Sequence, residues 1–168
     1  TFTYDAAGRQ TVFLNALSLR TTSSYDKASR IILQVDPRGY RTTYAYDPDD
    51  RLTLRRSEPL NSKITFTIDA LDRLTGMIDP TGRYTATYDR GNRVTSVINP
   101  AGLRISYSYD KINRRTVMVQ PDGGRFSYSY DGASRLTRIL NPQAQPTTWV
   151  YDAADRLTVN RLANGVRA

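Results

Sequence analysis

The 168-residue chain contains no cysteine and no histidine, one tryptophan and two methionines. Without Cys or His there is no disulfide framework, no Cys/His zinc site, no Ser-His-Asp triad and no Cys-His dyad. Carboxylate chemistry remains. The lack of cysteine assigns no compartment, because long repeat arrays hold together without cross-links. No apolar run approaches the roughly 20 residues that span a bilayer, and no signal peptide is visible. Charge of one sign is not concentrated either. The net charge is +8, but the only basic doublets are Arg55-Arg56 and Arg114-Arg115. Phosphate binders gather their charge in one patch or stripe, so the scatter argues against nucleic acid.

What is present is a repeat. A Tyr-Asp pair, with arginine four residues after the aspartate, recurs from Tyr4, Tyr25, Tyr46, Ile68, Tyr88, Tyr109, Tyr130 and Tyr151, at spacings of 21, 21, 22, 20, 21, 21 and 21 residues. The motif residues are Tyr4, Asp5, Arg9, Tyr25, Asp26, Arg30, Tyr46, Asp47 and Arg51, then Asp69 and Arg73 after Ile68. They continue with Tyr88, Asp89, Arg93, Tyr109, Asp110, Arg114, Tyr130, Asp131, Arg135, Tyr151, Asp152 and Arg156. Eight units fill residues 1–168 and leave no domain boundary, so the chain reads as a single array. Neither end looks like a cap, which predicts a segment of a longer protein.

With the tyrosine numbered 0, position 4 is Gly8, Ser29, Asp50, Asp72, Asn92, Asn113, Ser134 and Asp155. Six of these are Gly, Asn or Asp, which tolerate a left-handed backbone. Asp at 1 and Arg at 5 then flank a three-residue hairpin loop and close it, the carboxylate accepting loop amides and pairing with the guanidinium. In that register position 0 faces 6, −2 faces 8 and −4 faces 10. One side would carry Tyr109, Tyr107, Ile105, Val117 and Val119, and in the next unit Tyr130, Tyr128, Phe126, Leu136 and Leu140. The other side would carry the hydroxyl residues of position −3, from Thr1 to Thr148, with position 7, which is Thr in every unit but Ile32.

A second turn is written as Asp36-Pro37-Arg38-Gly39, Asp79-Pro80-Thr81-Gly82 and Asn99-Pro100-Ala101-Gly102. The odd residue of the 21-residue period is expected there, as a four-residue loop or a bulge that bends the sheet. The 20-residue unit is expected to keep a three-residue loop, with Ile78 facing Tyr84. A protruding loop is expected at Glu58-Pro59-Leu60-Asn61-Ser62-Lys63. The fold predicted is all-β: eight hairpin units in one curved or spiralling antiparallel sheet of up to 16 strands. At standard spacings it would be roughly 20 Å tall and on the order of 75 Å wide. Open sheets rarely exceed ~10 strands without curling, so this one should close, spiral or enclose something.

The strings YDAAGR, YDPDDRLT, IDALDRLTGMIDPTG and YDGASRLT closely resemble the Rhs or YD repeat, and the resemblance covers essentially the whole chain. It implies a β-sheet cocoon wall like those of bacterial Rhs toxins, the BC component of Tc toxins and teneurins. The function implied is a non-catalytic shell around a toxin or other polypeptide, with a secreted or cell-envelope location. The implied partners are further repeats of a parent chain and the enclosed payload. The family's self-cleaving Asp-Pro-x-Gly-Leu string is incomplete at Asp36, Asp79 and Asn99, which read as ordinary turns, so no protease residues are carried over.

Eight equivalent Asp/Arg pairs argue for structure, since glycosidase chemistry needs one pair of carboxylates in unlike environments. No catalytic, cofactor-binding or metal residue is expected. The alternative is an extracellular adhesion module that holds carbohydrate or protein on the tyrosine or threonine face. Open sheet edges would also allow head-to-tail self-association.

Overall fold

The computed structural model describes residues 1–166, and every regular element in them is a strand. In order these are β1 (Phe2–Tyr4), β2 (Gln10–Leu14), β3 (Arg20–Tyr25), β4 (Ile31–Val35), β5 (Arg41–Tyr46), β6 (Leu52–Glu58), β7 (Ser62–Ile68) and β8 (Leu74–Asp79). Then come β9 (Gly82–Tyr88), β10 (Val94–Ile98), β11 (Arg104–Tyr109), β12 (Arg115–Val119), β13 (Arg125–Tyr130), β14 (Leu136–Leu140), β15 (Pro146–Tyr151) and β16 (Leu157–Arg161). Lateral order equals sequence order in one 16-stranded open sheet of antiparallel hairpins. By contacts the chain divides into two units, Thr1–Tyr84 and Thr85–Ala168.

The Tyr-Asp turn takes the three-residue form. The Asp5 amide donates to the Arg9 carbonyl at 2.9 Å and the Gly8 amide to the Asp5 carbonyl at 3.0 Å. Position 4 has positive φ in all eight copies, from 59° at Asp72 to 75° at Gly8. The short polar side chains there limit the cost of that backbone.

The second turn corrects the sequence reading. It repeats the same geometry, with Asp36 N–H to the Tyr40 carbonyl and Gly39 N–H to the Asp36 carbonyl, both 2.9 Å, and φ 83° at Gly39. The odd residue is not there. Tyr109 lies opposite Arg115, but Ser108 lies opposite Val117, so Thr116 is an extra, bulged residue. The same register shift follows the tyrosine position in every unit. Position 7 is therefore the bulge, and its chemistry explains its threonine. In five copies the hydroxyl donates to the carbonyl of position −1, among them Thr11 to Thr3 at 3.2 Å, Thr53 to Ala45 at 3.2 Å, Thr75 to Thr67 at 3.1 Å and Thr137 to Ser129 at 3.1 Å, whereas Thr95 pairs with the Thr87 hydroxyl at 2.9 Å. A bulge interrupts the ladder, and the β-branched hydroxyl supplies a bond beside the interruption. Ile32 fills the bulge without a hydroxyl. Ile32→Thr should raise stability by about 1 kcal/mol, read as a higher urea midpoint at unchanged slope. A midpoint equal to or below the parent's would contradict it.

The bulge also changes which residues share a face. Tyr107 lies opposite Met118, not Val117, and Met118 lies opposite Phe126. Positions −4, −2, 0 and 9 make one face, and −5, −3, −1, 8 and 10 make the other. Val117, Val119 and Leu140 thus join the Ser/Thr side, opposite Ser127 or Ser106. Every aromatic residue within a strand falls on the first face, and none on the second.

Two other turns differ from expectation. β6 and β7 run on to a Ser57–Ser62 pair, so Ser62 and Lys63 belong to a longer hairpin with a four-residue turn at 58–61. In the short unit β8 ends at Asp79 and β9 starts at Gly82, leaving Pro80 and Thr81 as a two-residue loop. Among the described residues no hydrophobic side chain is buried; the buried polar ones are Ser57 and Ser96. The aromatic face is therefore not a packed core within this chain, and cohesion comes from strand pairing and from contacts between successive repeats.

Candidate functional site

The side chains that recur in register are those of the Tyr-Asp…Arg motif, and the structure brings them together into a clasp. In the second copy, Asp26 Oδ1 accepts the amides of Ala28 and Arg30, both at 2.9 Å. Its Oδ2 takes Nε and Nη2 of Arg30, both at 2.7 Å. One carboxylate thus satisfies two loop amides and a two-pronged guanidinium, the strong geometry for this pair. The arrangement repeats from Asp5–Arg9 to Asp152–Arg156.

The guanidinium does more than close its own turn. Arg93 Nη1 donates to the Asp110 carbonyl of the next repeat at 2.8 Å and to Asn113 Oδ1 at 3.0 Å. Its planar end lies over the Tyr109 ring, 4.9 Å from the centroid. Arg9, Arg30, Arg114 and Arg135 cover Tyr25, Tyr46, Tyr130 and Tyr151 in the same way, at 4.8–5.0 Å. Tyr25, Tyr46, Tyr109, Tyr130 and Tyr151 in turn donate their hydroxyls to the position-6 carbonyl of the preceding repeat, among them Tyr25 to Gln10 at 2.7 Å, Tyr109 to Val94 at 2.8 Å and Tyr151 to Leu136 at 3.0 Å. Within each of the two units a motif therefore holds the next tyrosine-bearing motif by an ion–ring contact and hydrogen bonds in both directions. Where the ring is replaced by Ile68, an open hollow of about 330 Å³ appears between Arg51, Leu52, Phe66, Asp72 and Leu74.

Burial follows from this reach. The arginine side chains followed by another repeat are 21–28% exposed, whereas Arg156 is 79% exposed. Tyr4, with no preceding clasp in this chain, is 56% exposed. Electrostatics follow as well. The side-chain bond from Arg9 holds the Asp5 carboxyl below the usual value of 3.8, as Arg73 and Arg93 hold Asp69 and Asp89. At Asp26, Asp131 and Asp152 the loop amide of the paired arginine is the leading cause of the same lowering.

Sequence reasoning placed Asp, Arg and the turn, but missed the arginine's second set of partners, the tyrosine hydroxyl bond and the threonine bond at the bulge. A signal for the first was available: position 4 carries an oxygen acceptor in seven of eight copies. The hydroxyl's partner is a backbone carbonyl, which leaves no trace in side-chain identity. The incomplete Asp-Pro-x-Gly strings all sit in second turns, where Asp36, Asp79 and Asn99 accept turn amides.

A family model described as the Teneurin YD-shell matches residues 1–160. The chain belongs to the teneurin YD-shell family. Among solved structures, this YD-shell segment is similar to a chain of a Photorhabdus luminescens Tc holotoxin pore that carries a substitution in TccC3. The TM-score is 0.69 at 16% identity, over 85% of this chain and 9% of that one. The TcdB2-TccC3-TEV and TcdB2-TccC3-Cdc42 crystal structures each match at TM-score 0.52 and 14% identity, over 95% of this chain and 12% of theirs. At these identities the likeness is one of fold, and the YD-shell segment spans about a tenth of those chains. No curated protein matches the sequence.

Proposed function

We propose that residues 1–168 are one array of a non-catalytic wall in a secreted or cell-envelope protein, and that the wall encloses a polypeptide payload. The observation that carries this reading is the clasp. The Asp and Arg of each motif are committed to their own turn, and Tyr25, Tyr46, Tyr109, Tyr130 and Tyr151 to the preceding repeat, which is the arrangement of a structural fastening and not of a site for chemistry on a substrate. The register supports it too. In the first unit Thr22 lies opposite Val35, which lies opposite Arg41; in the second, Ser106, Val119 and Arg125 repeat the sequence. Each step from one repeat to the next thus slides the strands by two residues. Over two strand spacings that is a tilt of roughly 35°, in the range of sheets that wrap around an interior.

Further YD repeats are the partners expected at the open edges of β1 and β16, which present unpaired ladder groups. The aromatic adhesion alternative loses support, because a sugar stacks on an uncovered ring and the arginines occupy those ring faces. The test is limited proteolysis of the intact parent protein. Its enclosed segment should survive protease that degrades the same segment expressed alone, with at least tenfold slower cleavage. Equal digestion rates would overturn enclosure while leaving the fold untouched.

A further inference from the structure

Alignment of the repeats gathers charge that looks scattered along the chain, and the bulge sets what lies opposite it. Position −5 is Arg20, Arg41, Lys63, Arg83, Arg104 and Arg125, with Pro146 in the last repeat. All six basic residues are exposed. They stand first or second in alternate strands on the face that carries no aromatic residue, Arg20, Arg41, Lys63 and Arg83 in the first unit and Arg104 and Arg125 in the second. Alternate strands are about 10 Å apart, so each unit presents a basic row.

The neighbours of the row define what it can recognise. Directly opposite the arginines lie aliphatic residues: Leu14 faces Arg20, Val35 faces Arg41, Ile98 faces Arg104 and Val119 faces Arg125. Two residues further along the same face stands the Thr/Ser column, Thr22, Thr43, Ser106 and Ser127. The acid on this face is Glu58, opposite Arg41, and its carboxylate pairs with Arg56 at 2.8 Å. The nearby Asp36 and Asp79 are engaged by their own turns.

We propose that this face docks a carboxylate-rich polypeptide with interspersed apolar residues. Guanidinium and ammonium groups take the carboxylates, the Leu/Val/Ile partners take apolar side chains, and the hydroxyl column bonds peptide carbonyls. A sugar-phosphate backbone offers nothing to the aliphatic residues, and the rings that could stack on bases are on the opposite face. The inference deepens the enclosure reading by naming the wall surface that meets the enclosed chain. Its binding test can fail while enclosure holds, and the reverse.

The probe is a fluorescein-labelled 16-residue peptide of Glu, Leu and Ser, titrated with the full chain by fluorescence anisotropy, with a 20-base-pair DNA duplex at equal salt as the competitor class. Arg20→Gln/Arg41→Gln/Arg83→Gln should weaken peptide binding on the order of tenfold. Lys27→Gln/Arg90→Gln/Lys111→Gln, which removes the same charge from the Tyr-Asp loops, should weaken it twofold or less. Should the first variant lose its strand circular dichroism, Arg104→Gln/Arg125→Gln in the second unit reads the same prediction. Equal loss in row and loop variants, absence of peptide binding, or tighter binding of the duplex would each overturn it.

Discussion

Replacing Arg93 with alanine should destabilise the chain by about 3 kcal/mol, the combined size of a charge-assisted hydrogen bond and a cation–ring contact. The same change at Arg156 should cost less than about 0.5 kcal/mol, as for an ordinary surface residue. Both arginines pair with their own aspartate at 2.7 Å. Only Arg93 goes on to Asp110, Asn113 and Tyr109 of a following repeat. The difference between the two variants therefore isolates the coupling between repeats from the closure of a turn. Urea unfolding of both, followed by circular dichroism and by tyrosine fluorescence, reads it. Equal losses would mean that the motif acts only within its own hairpin. Arg93→Lys separates charge from shape: the ammonium cannot hold Asp89, the next carbonyl and the ring face together, so most of the loss should persist.

Acid should unfold this chain steeply and over a narrow range. The motif carboxyls Asp5, Asp26, Asp69, Asp89, Asp131 and Asp152 are held below the usual 3.8 by arginine and loop-amide bonds. At Asp47 and Asp110 partial burial pushes upward, but the bonds to Arg51 and Arg114 outweigh it. Each of these groups binds a proton more readily unfolded than folded. Stability from the clasps is therefore fully present above the unfolded value and is lost as pH falls through the lower folded values. The urea midpoint should be flat from about pH 7 to 5 and fall sharply below about pH 4, with several protons taken up on unfolding. Asp26→Asn/Asp131→Asn should lower stability at pH 7 and reduce the proton uptake. A midpoint that declines equally between pH 7 and 5, or stays level at pH 3, would contradict the assignment.

Much of this was legible in the chain because repetition averages away local ambiguity. One Tyr-Asp string is compatible with many turns, but eight copies with Gly, Asn, Asp or Ser at position 4 specify a left-handed residue, and all eight adopt it. The all-β hairpin array followed from the same regularity. The facing pattern did not. Alternation in sequence cannot show where a ladder skips a residue, and both placements of the odd residue agree with a 21-residue period. Threonine at position 7 was read as a face marker when it is the bulge. The error moved Val117 and Val119 to the wrong side and so hid the aliphatic partners of the basic row, while the row itself looks dispersed in sequence because its charges stand about 21 residues apart.

The amino-acid sequence by itself determined the Tyr-Asp turn, the strand count and the Asp–Arg pairing, since these depend on residues within five positions of one another. The tertiary structure alone decided where the bulge falls, which face each side chain takes and what the arginine holds in the next repeat. Those outcomes depend on hydrogen-bond register and on backbone carbonyls 15 to 18 residues away, and every residue type carries a carbonyl.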